Sequence, residues 1–440
     1  NLLSITGEVI LQPFIKNNII ALFNGEIYNY KTLIDADYNS DGECIIDCYL
    51  KYGENCFKMF DGEFAIVLFD FNKGKFILSS DVFATKPLFY AFDKNTFAIA
   101  SYESSVSKLG FKNPIKLEAN IFKVFRIKNF KLINEEILFK FKLRQYKENF
   151  LDWNKAFEDS IKKRATNLKH PLFICLSSGY DSGAICCALN KLGINYSTYS
   201  IIGNENLAII NERINLNNKE FIIYDVSNND YDFLFNKIKK DAEKLKYKHE
   251  KSNSGIKELS EDGAAIGNLK IFIDALKSGK KVFLSGSGAD EITCDYAIDG
   301  KEIFNHSCFK GIYPENLEDI FPKKSRSDKD YKPIWFSFYE GTQESYLMKE
   351  EIISGLVGIE GRYPFLDKYV VQEFLSLSSN LKNSTYKSVI ENYLTENKYP
   401  FDKKIKNGYC ITNSKYLKKR DKVKKKGVKE NNLFLLKKFK

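Results

Sequence analysis

A stretch of small hydroxyl residues around one carboxylate is the part of the sequence that most suggests chemistry. Residues 175–183 read CLSSGYDSG, so that three serines and Gly179 surround Asp181 directly after an apolar run. Hydroxyl groups and backbone amides at the start of a helix bind phosphate. Asp181 would repel phosphate unless a cation such as Mg²⁺ lay between them. The stretch therefore suggests a magnesium-phosphate site, although a plain helix N-cap explains these residue types about as well.

A second stretch repeats this design. Residues 281–291 read KVFLSGSGADE, again an apolar run that enters a turn of serine and glycine and ends in acids, Asp290 among them. Neither stretch is a Walker loop, because no Gly-Lys-Ser/Thr follows. Two neighbouring loops that each offer one aspartate can hold a magnesium triphosphate between them. The alternative, an ordinary glycine turn with a capping aspartate, would have to occur twice.

The elements around the two stretches alternate between helix and strand. AFEDSIKKRATNL and AICCALNKLG have helical periodicity, whereas PLFICLS and STYSIIG are typical of buried strands. Such alternation predicts a parallel sheet whose ligands gather at the carboxyl ends of its strands. The pattern of residues 1 to about 135 predicts short strands and turns instead. An apolar run is broken at Asn-Gly in IIALFNGEIYNY, a hairpin is predicted in FAIVLFDFNKGKFILSS, and a helix is predicted in GECIIDCYLKYG. A polar connector at residues 140–149 separates the two patterns.

The composition narrows the chemistry further. The 440 residues are too many for one ordinary core; no apolar run approaches the roughly 20 residues that span a bilayer, and no signal peptide opens the sequence. Nine cysteines without a disulfide framework favour a reducing cytoplasm. Only three histidines, far from one another in the sequence, disfavour a zinc site or a histidine-based triad. The chemistry must therefore use carboxylates, lysines and bound cofactors.

The net charge of +10 is concentrated at one end of the chain. Residues 417–440 contain eleven lysines and arginines against two acids, and the remainder is nearly neutral. Aromatic residues are not interleaved there, as a stacking platform for nucleic acid requires. We interpret this tail as a solvated basic helix and do not expect nucleic acid as a partner.

On its ordered motifs the chain resembles the asparagine synthetase family. The segment at residues 177–182 is similar to the SGGxDS loop of ATP pyrophosphatases, with a departure at Ser178. LSGSGADEI is similar to the family's second pyrophosphate and magnesium loop, GIEGRYPFLD to its GxExRxPFLD segment, and KKIKNGY to its basic Lys-Gly stretch. FNGEIYNY, NSDGE, GEFAIVLFD and SSDVFATKPLFY follow, in order, the segments of a class II glutamine amidotransferase domain. The resemblance spans most of residues 1–410.

This resemblance implies a fold class and two domains. Residues 1–137 would form an α+β amidotransferase-like sandwich of the Ntn type, and residues 150–440 an α/β parallel-sheet ATP-pyrophosphatase domain that ends in the basic tail. The family's cysteine nucleophile lies roughly fifty residues upstream of the segment that matches Asn1. We therefore expect the first strands to be missing from the sequence rather than lost by the protein. The family arginine that holds the glutamine carboxylate falls at Leu2.

The resemblance also implies a cytoplasmic ligase of amino-acid biosynthesis that uses ATP and Mg²⁺. A substrate carboxylate would attack the α-phosphorus of ATP and release pyrophosphate, and ammonia from glutamine would displace AMP from the acyl-adenylate. Such chemistry needs charge neutralisation and positioning more than a covalent nucleophile. Aspartate is the expected acceptor, but Ser287, Cys294 and Asp295 depart from the family pattern and leave another carboxylate open, such as a sugar acid. The expected partners are small molecules, with no membrane, and a homodimer is left open.

Individual residues receive roles from the matching motifs. Asp181 and Asp290 would hold magnesium, Glu360 would handle the proton at the amine, and Lys406 would stabilise the developing phosphate charge. Arg362 could instead simply pair with Glu360. The residues expected to bind ATP and pyrophosphate are Leu176, Ser177, Gly179, Asp181, Ser182, Ile201, Ser285 and Gly286. The residues expected to bind glutamine are Asn24, Gly25, Glu26 and Asp41.

Two other classes of function are weighed against this one. A non-catalytic relative could bind a partner through the sandwich and the basic tail, but a pure scaffold has little use for acids on two phosphate loops. A nucleic-acid modifier such as a tRNA thiolase would match the basic charge. That chemistry usually needs paired reactive cysteines or a metal cluster, and no CxxC occurs in the sequence.

Overall fold

The computed structural model describes most of the chain. The residues described are 8, 10–203, 205–217, 220–248, 256–293, 297–298, 301–302, 313–320, 343–403, 411, 415 and 417–418. Leu2, Cys294, Asp295, Lys406 and nearly all of the basic tail lie outside these residues, so the expectations placed on them stay predictions. No helix in the described ranges is long and apolar enough to cross a membrane.

The strands and helices are numbered in chain order. The strands are β1 Phe14–Lys16, β2 Ile19–Ile27, β3 Gly62–Asp70, β4 Lys75–Ser80, β5 Phe89–Phe92, β6 Phe97–Ala100, β7 Ile115–Lys116, β8 Ile121–Arg126, β9 Leu132–Ile137, β10 Leu172–Cys175, β11 Ser197–Ile201, β12 Phe221–Tyr224, β13 Lys246–Lys248, β14 Ile256–Glu258, β15 Val282–Leu284, β16 Ala297–Ile298, β17 Lys301–Glu302 and β18 Glu360–Arg362. The helices are α1 Tyr30–Leu33, α2 Cys44–Tyr52, α3 Cys56–Met59, α4 Glu103–Lys108, α5 Leu151–Ala165, α6 Tyr180–Lys191, α7 Leu207–Asn217, α8 Asn228–Asp241, α9 Gly263–Lys277, α10 Ala289–Thr293, α11 Leu317–Ile320, α12 Gln343–Gly355, α13 Lys368–Ser376, α14 Ser379–Lys382 and α15 Ser388–Glu396.

The first half of the chain is built on an antiparallel sheet with strand order β1-β2-β3-β4-β8-β9. Side chains of a strand alternate between its two faces, and in β3 both faces are buried. Ile66 and Leu68 pack in one apolar cluster with α2, whereas Ala65 and Val67 pack in another with Tyr90 of the smaller sheet β6-β5-β7. Helix on one face and sheet on the other confirm the sandwich that the sequence predicted.

Strand β2 corrects the predicted break at Asn-Gly. The strand continues through Asn24 and Gly25 and pairs with β3 along its whole length. Gly25 has a φ of +128°, and a Cβ atom there would lie 1.9 Å from the carbonyl oxygen of Glu63. Glycine therefore permits a close approach of two strands here instead of ending one. The predicted hairpin β3–β4 and the predicted helix α2 are both present.

The second half contains a parallel sheet with strand order β12-β11-β10-β15-β18. Strand β10 pairs with β11 on one side and with β15 on the other, so the strand order reverses at β10. Ligands of open α/β sheets bind at the carboxyl ends of the strands at such a reversal. The two serine-glycine stretches follow β10 and β15, so the sheet places them side by side at this position. Antiparallel sheets followed by a parallel sheet confirm the predicted fold class.

Buried ion pairs join the two halves. Arg164 of α5 donates from Nε to Glu63 of β3 at 2.7 Å and from Nη1 to Asp367 at 2.8 Å, and all three side chains are only 2% exposed. The backbone N–H of Tyr363 donates to the same Glu63 oxygen at 2.9 Å. The last strand of the first half ends at Ile137 and α5 begins at Leu151. We propose that the domains divide in this interval, at the predicted connector.

The substitution Arg164→Met is expected to lower the free energy of unfolding by about 3–5 kcal/mol, because it takes the guanidinium from the buried Glu63 carboxylate and leaves Asp367 with Lys163 in place of two cations. Denaturant unfolding monitored by fluorescence measures this loss. The control is Lys16→Met, which removes an ion pair to Asp47 from a lysine side chain that is 51% exposed, and should cost less than about 1 kcal/mol. Equal losses in the two variants would contradict the role of Arg164.

Candidate functional site

The first loop, residues 176–182, connects β10 to α6. The N–H of Ser177 donates to the Ser182 hydroxyl at 3.1 Å, that of Gly179 to the Ser177 hydroxyl at 3.2 Å, and that of Ser178 to the Glu205 carboxylate at 2.6 Å. We expected the backbone amides of this turn to bind phosphate, but three of them already have hydrogen-bond partners within the chain. Short hydroxyl side chains in a turn accept hydrogen bonds from the backbone N–H groups around them, and two of these amides are therefore already paired with serine hydroxyl groups.

A buried arginine fixes the other side of this loop. Arg213 of α7 is 1% exposed and donates from Nη1 to the carbonyl oxygens of Ser177 and Gly179 at 2.6 and 2.9 Å. It also packs against Gly183, where a Cβ atom would lie 2.4 Å from Nη2. The carbonyls of the loop therefore point toward Arg213. Sequence reasoning missed this residue, because a single arginine in a polar helix carries no signal of its own.

The second loop, residues 285–288, follows β15 and touches the first. A Cβ atom at Gly286 would lie 3.0 Å from the Cβ atom of Asp181, so glycine lets the two loops approach. Within the loop, the N–H of Ser287 donates to the Ser285 hydroxyl at 3.0 Å, and the N–H of Gly288 donates to Glu291 at 3.1 Å. Leu176, the first residue of the first loop, and Ile201, the last residue of β11, are expected to line the adenosine site, and both are buried.

Asp181 and Asp290 meet on one ammonium group. The Nζ atom of Lys387 lies 2.5 Å from Oδ1 of Asp181 and 2.7 Å from Oδ1 of Asp290, and the lysine side chain is 3% exposed. Lys387 begins the turn into α15 with a φ of +48°. Sequence reasoning missed this lysine, because nothing in its local pattern distinguishes it from the many others.

The same two carboxylates fit a magnesium ion. Carboxylate oxygens are the ligands that Mg²⁺ prefers, and this ion commonly takes one or two carboxylates together with phosphate oxygens and water. Among the described residues no group of three or more His, Cys, Asp and Glu side chains could hold a metal ion. Magnesium at Asp181 and Asp290 would therefore depend on the phosphates of a nucleotide for its remaining ligands.

Glu360 lies at the opposite end of strand pair β15–β18 from the second loop. It starts β18 and pairs with Val282, whereas the loop begins after Leu284 at the other end of β15. Its Oε1 accepts a hydrogen bond from Nε of Arg362 at 2.7 Å, so the alternative pairing expected from the sequence is present. Glu360 also faces a cavity, which leaves its carboxylate accessible to a small molecule.

A cavity of about 560 Å³ is lined by residues of both halves. Asp41 in its wall accepts hydrogen bonds from the N–H groups of Ile27 at 2.7 Å and Gly42 at 3.0 Å. Burial, together with the charge of Glu360, raises the pKa of Asp41 to about 7 against the lowering effect of these hydrogen bonds and of Arg362. The wall includes all four residues expected to bind glutamine and the expected proton acceptor, which are Asn24, Gly25, Glu26, Asp41 and Glu360.

Lys86 connects the halves at the same cavity. Its Nζ donates to Glu351 at 2.8 Å and to the carbonyl oxygen of Gly361 in β18 at 2.9 Å. Tyr363 donates its hydroxyl to the same Glu351 oxygen at 2.6 Å. Lys86 belongs to the SSDVFATKPLFY motif, so the sequence marked it as a candidate functional residue. Its pairing with Glu351 of the other half could not be predicted from the sequence.

A buried acid supports the second loop. Glu350 of α12 accepts a hydrogen bond from the Ser285 hydroxyl at 2.5 Å. Burial raises the pKa of Glu350 to about 7, although the hydrogen bond from Ser285 and the charge of Lys349 oppose this shift. A carboxyl group beside the expected adenosine site therefore changes its charge near neutral pH.

Two family models match the chain. The model of the glutamine amidotransferase domain matches residues 4–108, and that of asparagine synthase matches residues 258–401. A putative glutamine-hydrolysing asparagine synthetase 1 of Methanocaldococcus jannaschii is 28% identical over 87% of this chain and 70% of its own length. The glutamine-hydrolysing asparagine synthetase of Gallus gallus is 25% identical over 84% of this chain and 67% of its own. Asparagine synthetase 2 of Bacillus subtilis is 39% identical over 20% of this chain and 13% of its own.

Among solved structures, the allosteric regulatory enzyme of purine biosynthesis matches 49% of this chain and 63% of its own, with a TM-score of 0.27 and 13% identity. NMN synthetase from Francisella tularensis matches 55% of this chain and 97% of its own, with a TM-score of 0.23 and 13% identity.

An antiparallel sheet is joined by buried ion pairs to a parallel sheet that carries two paired phosphate-type loops. The glutamine amidotransferase model matches the first half and the asparagine synthase model the second, and relatives named glutamine-hydrolysing asparagine synthetase match most of the chain. The resemblance recognised in the sequence motifs is thereby confirmed.

The substitution Lys387→Met is expected to lower the free energy of unfolding by about 2–3 kcal/mol without magnesium, because two neighbouring carboxylates then lose the ammonium group that lies between them. Millimolar Mg²⁺ should restore part of this loss, since the ion replaces the ammonium group. Denaturant unfolding with and without MgCl₂ tests both statements. The control is Lys403→Met, whose lysine side chain is 59% exposed. If Mg²⁺ stabilises Lys387→Met no more than the control, the two aspartates are not a cation site.

Glu350 makes stability depend on pH. Because its pKa rises to about 7 on folding, its contribution to the free energy of unfolding is complete below the unfolded pKa of about 4.3 and is lost as the pH rises through 7. Glu350→Gln keeps the shape of the neutral acid. The free energy of unfolding of the variant minus that of wild type should therefore be larger at pH 8 than at pH 5, by about 2–3 kcal/mol.

Urea unfolding at the two pH values measures this difference. Glu344→Gln on the same helix is the control, because its side chain is 36% exposed. A stability difference between Glu350→Gln and wild type that does not change with pH would contradict the raised pKa.

Proposed function

We propose that the protein is an ATP-dependent ligase of the asparagine synthetase type. It activates a carboxylate, aspartate in the first instance, as an acyl-adenylate and converts this to an amide with ammonia from glutamine, releasing AMP and pyrophosphate. The observation that carries this proposal is the meeting of Asp181 and Asp290 on one ammonium group, where two serine-glycine loops touch. Two acids far apart in the sequence that converge on one cation where such loops touch form the arrangement that a magnesium nucleotide requires.

The residues of the two loops bind and orient the nucleotide. Magnesium at Asp181 and Asp290, when bound, neutralises phosphate charge. Lys387 adds a positive charge at the same place, and Lys406 is assigned the same task from its motif. The remaining nucleotide contacts are assigned to Leu176, Ser177, Gly179, Ser182, Ile201, Ser285 and Gly286.

The cavity supplies the second half of the reaction. Glutamine would bind at Asn24, Gly25, Glu26 and Asp41, and the ammonia it releases would enter a cavity that Glu360 also lines. As the nitrogen attacks the acyl-adenylate, a carbon–nitrogen bond forms, the carbon–oxygen bond to AMP breaks, and the nitrogen loses a proton. Glu360 is the carboxylate in this cavity to which we assign that proton.

The cysteines support a cytoplasmic location for this reaction. Six cysteines lie in the described residues, and all six are free thiols. Five of them are buried as small apolar groups, including Cys44 and Cys48 on α2. Proteins that keep buried thiols without disulfides are typical of reducing compartments.

The proposal is tested by incubating the protein with ATP, Mg²⁺, aspartate and ammonium and measuring pyrophosphate, AMP and asparagine. Asp181→Asn and Asp290→Asn should each lower pyrophosphate release by about 10²–10³-fold, because each removes a charge that the phosphates depend on. The control Asp241→Asn changes an exposed aspartate paired with Lys237 and should leave the rate unchanged.

Two results would change the proposal in different ways. Pyrophosphate release with another carboxylate, but not with aspartate, would keep the reaction and replace the acceptor. If no carboxylate supports pyrophosphate release, the protein is not a ligase of this type.

A further inference from the structure

The guanidinium of Arg362 is shared by carboxylates of both halves. Its Nε donates to Oε1 of Glu360 at 2.7 Å, and its Nη2 lies 2.9 Å from Oε1 of Glu26. Its Nη1 donates to the backbone carbonyl of Arg164 at 2.8 Å. The Arg362 side chain is completely buried, so it cannot exchange these partners for water.

Backbone pairing fixes where Arg362 stands. Residues two apart in a strand face the same side, so Glu360 and Arg362 project from β18 together. The carbonyl oxygen of Arg362 accepts the N–H of Ser285, the first residue of the second loop, at 2.9 Å. One residue therefore contacts the expected proton acceptor through its side chain and the expected nucleotide loop through its backbone.

Glu26 brings the glutamine pocket into this arrangement. It lies on β2 directly after Asn24 and Gly25, and all three line the cavity that Glu360 also faces. The Glu26 carboxylate is buried, and its partner Arg362 belongs to the other half. An amino acid in this pocket carries an ammonium group that can pair with the same carboxylate.

We propose that Arg362 is a positioning residue that holds the Glu360 carboxylate toward the attacking nitrogen, and that this hold depends on Glu26 of the glutamine pocket. The planar guanidinium offers donors in a fixed fork, so the Glu26 carboxylate at Nη2 adds to the Glu360 and Arg164 contacts in defining its orientation. This inference rests on the proposed function, because it assigns a support to the proton acceptor of that reaction. A lysine at this position could not reach both carboxylates in one plane.

The alternative is a buried ion pair that only stabilises the fold. Such a pair would affect every step of catalysis alike, whereas a support for Glu360 affects only the step in which nitrogen attacks. Adenylate formation precedes that step and does not require ammonia. Separate measurement of the two steps therefore distinguishes the two roles.

The test uses Glu26→Gln, which removes one charge and keeps the shape of the side chain. With the full chain, ATP, Mg²⁺ and aspartate, exchange of labelled pyrophosphate into ATP reports adenylate formation. Asparagine formed with saturating ammonium reports attack by nitrogen without glutamine hydrolysis. We expect amide formation to fall about tenfold, because a displaced carboxylate transfers protons less efficiently, while pyrophosphate exchange stays within about twofold of wild type.

A matched control changes the same interface away from the cavity. Glu344→Gln removes the 2.8 Å ion pair to Lys116, which also joins the two halves, and it should leave both rates unchanged. An equal fall of both rates in Glu26→Gln, or no fall in either, overturns the role of Arg362 while the ligase function stands. A wild-type protein that shows neither rate with any carboxylate removes the ligase function instead.

A second measurement does not depend on activity. Glu26→Gln, Glu360→Gln and the double variant are compared by melting temperature. If Arg362 connects the two carboxylates, the double variant loses more than the sum of the single losses, because the buried guanidinium then has neither carboxylate partner. A loss equal to or smaller than the sum overturns the inference whether or not the protein is active.

Discussion

Buried guanidinium groups between carboxylates of both halves are the constraint on which the rest of the structure depends. Arg164 pairs with Glu63 and Asp367, and Arg362 pairs with Glu26 and Glu360. An ion left in a protein interior without its partner costs several kcal/mol, so the halves cannot slide against each other without a large loss. The cavity wall, the position of β18 and the direction of the Glu360 side chain all follow from this fixed contact. The interface is therefore part of the site as well as its scaffold.

The polar groups of the phosphate-type loops, like the buried guanidinium groups, already have partners in the chain. Lys387 balances the two aspartates, Glu205 takes the N–H of Ser178, and hydroxyl groups take two further amides. A nucleotide bound here must exchange these partners for phosphate and magnesium. The net gain from such an exchange is smaller than the gross strength of the new contacts. Affinity at this site therefore depends on how easily the chain releases its own groups, Glu205 above all.

The sequence predicted the elements better than the contacts between them. Alternating helices and apolar strands were sufficient for the parallel sheet, and the hairpin and α2 followed from local patterns, because these depend on neighbours in sequence. The Asn-Gly pair in β2 was misleading, since glycine serves there for the approach of Glu63 and not for a turn. Lys387, Arg213 and Glu350 could not be found, because a buried charge is recognised only by the partner that the fold brings to it. Asp181 and Asp290 could be found, since each stands in a loop of unusual composition after a strand.

Strand β18 has a consequence for how the polypeptide matures after synthesis. Among the strands of the described residues it stands at the end of the order, beside β15, and its Gly361 carbonyl accepts a hydrogen bond from the Lys86 ammonium of the first half. Exposed sheet edges recruit strands from other molecules and lead to aggregation. The first half leaves the ribosome earlier, so it can cover this edge as soon as β18 emerges. Gene fission between the halves would remove that protection from the nascent sheet.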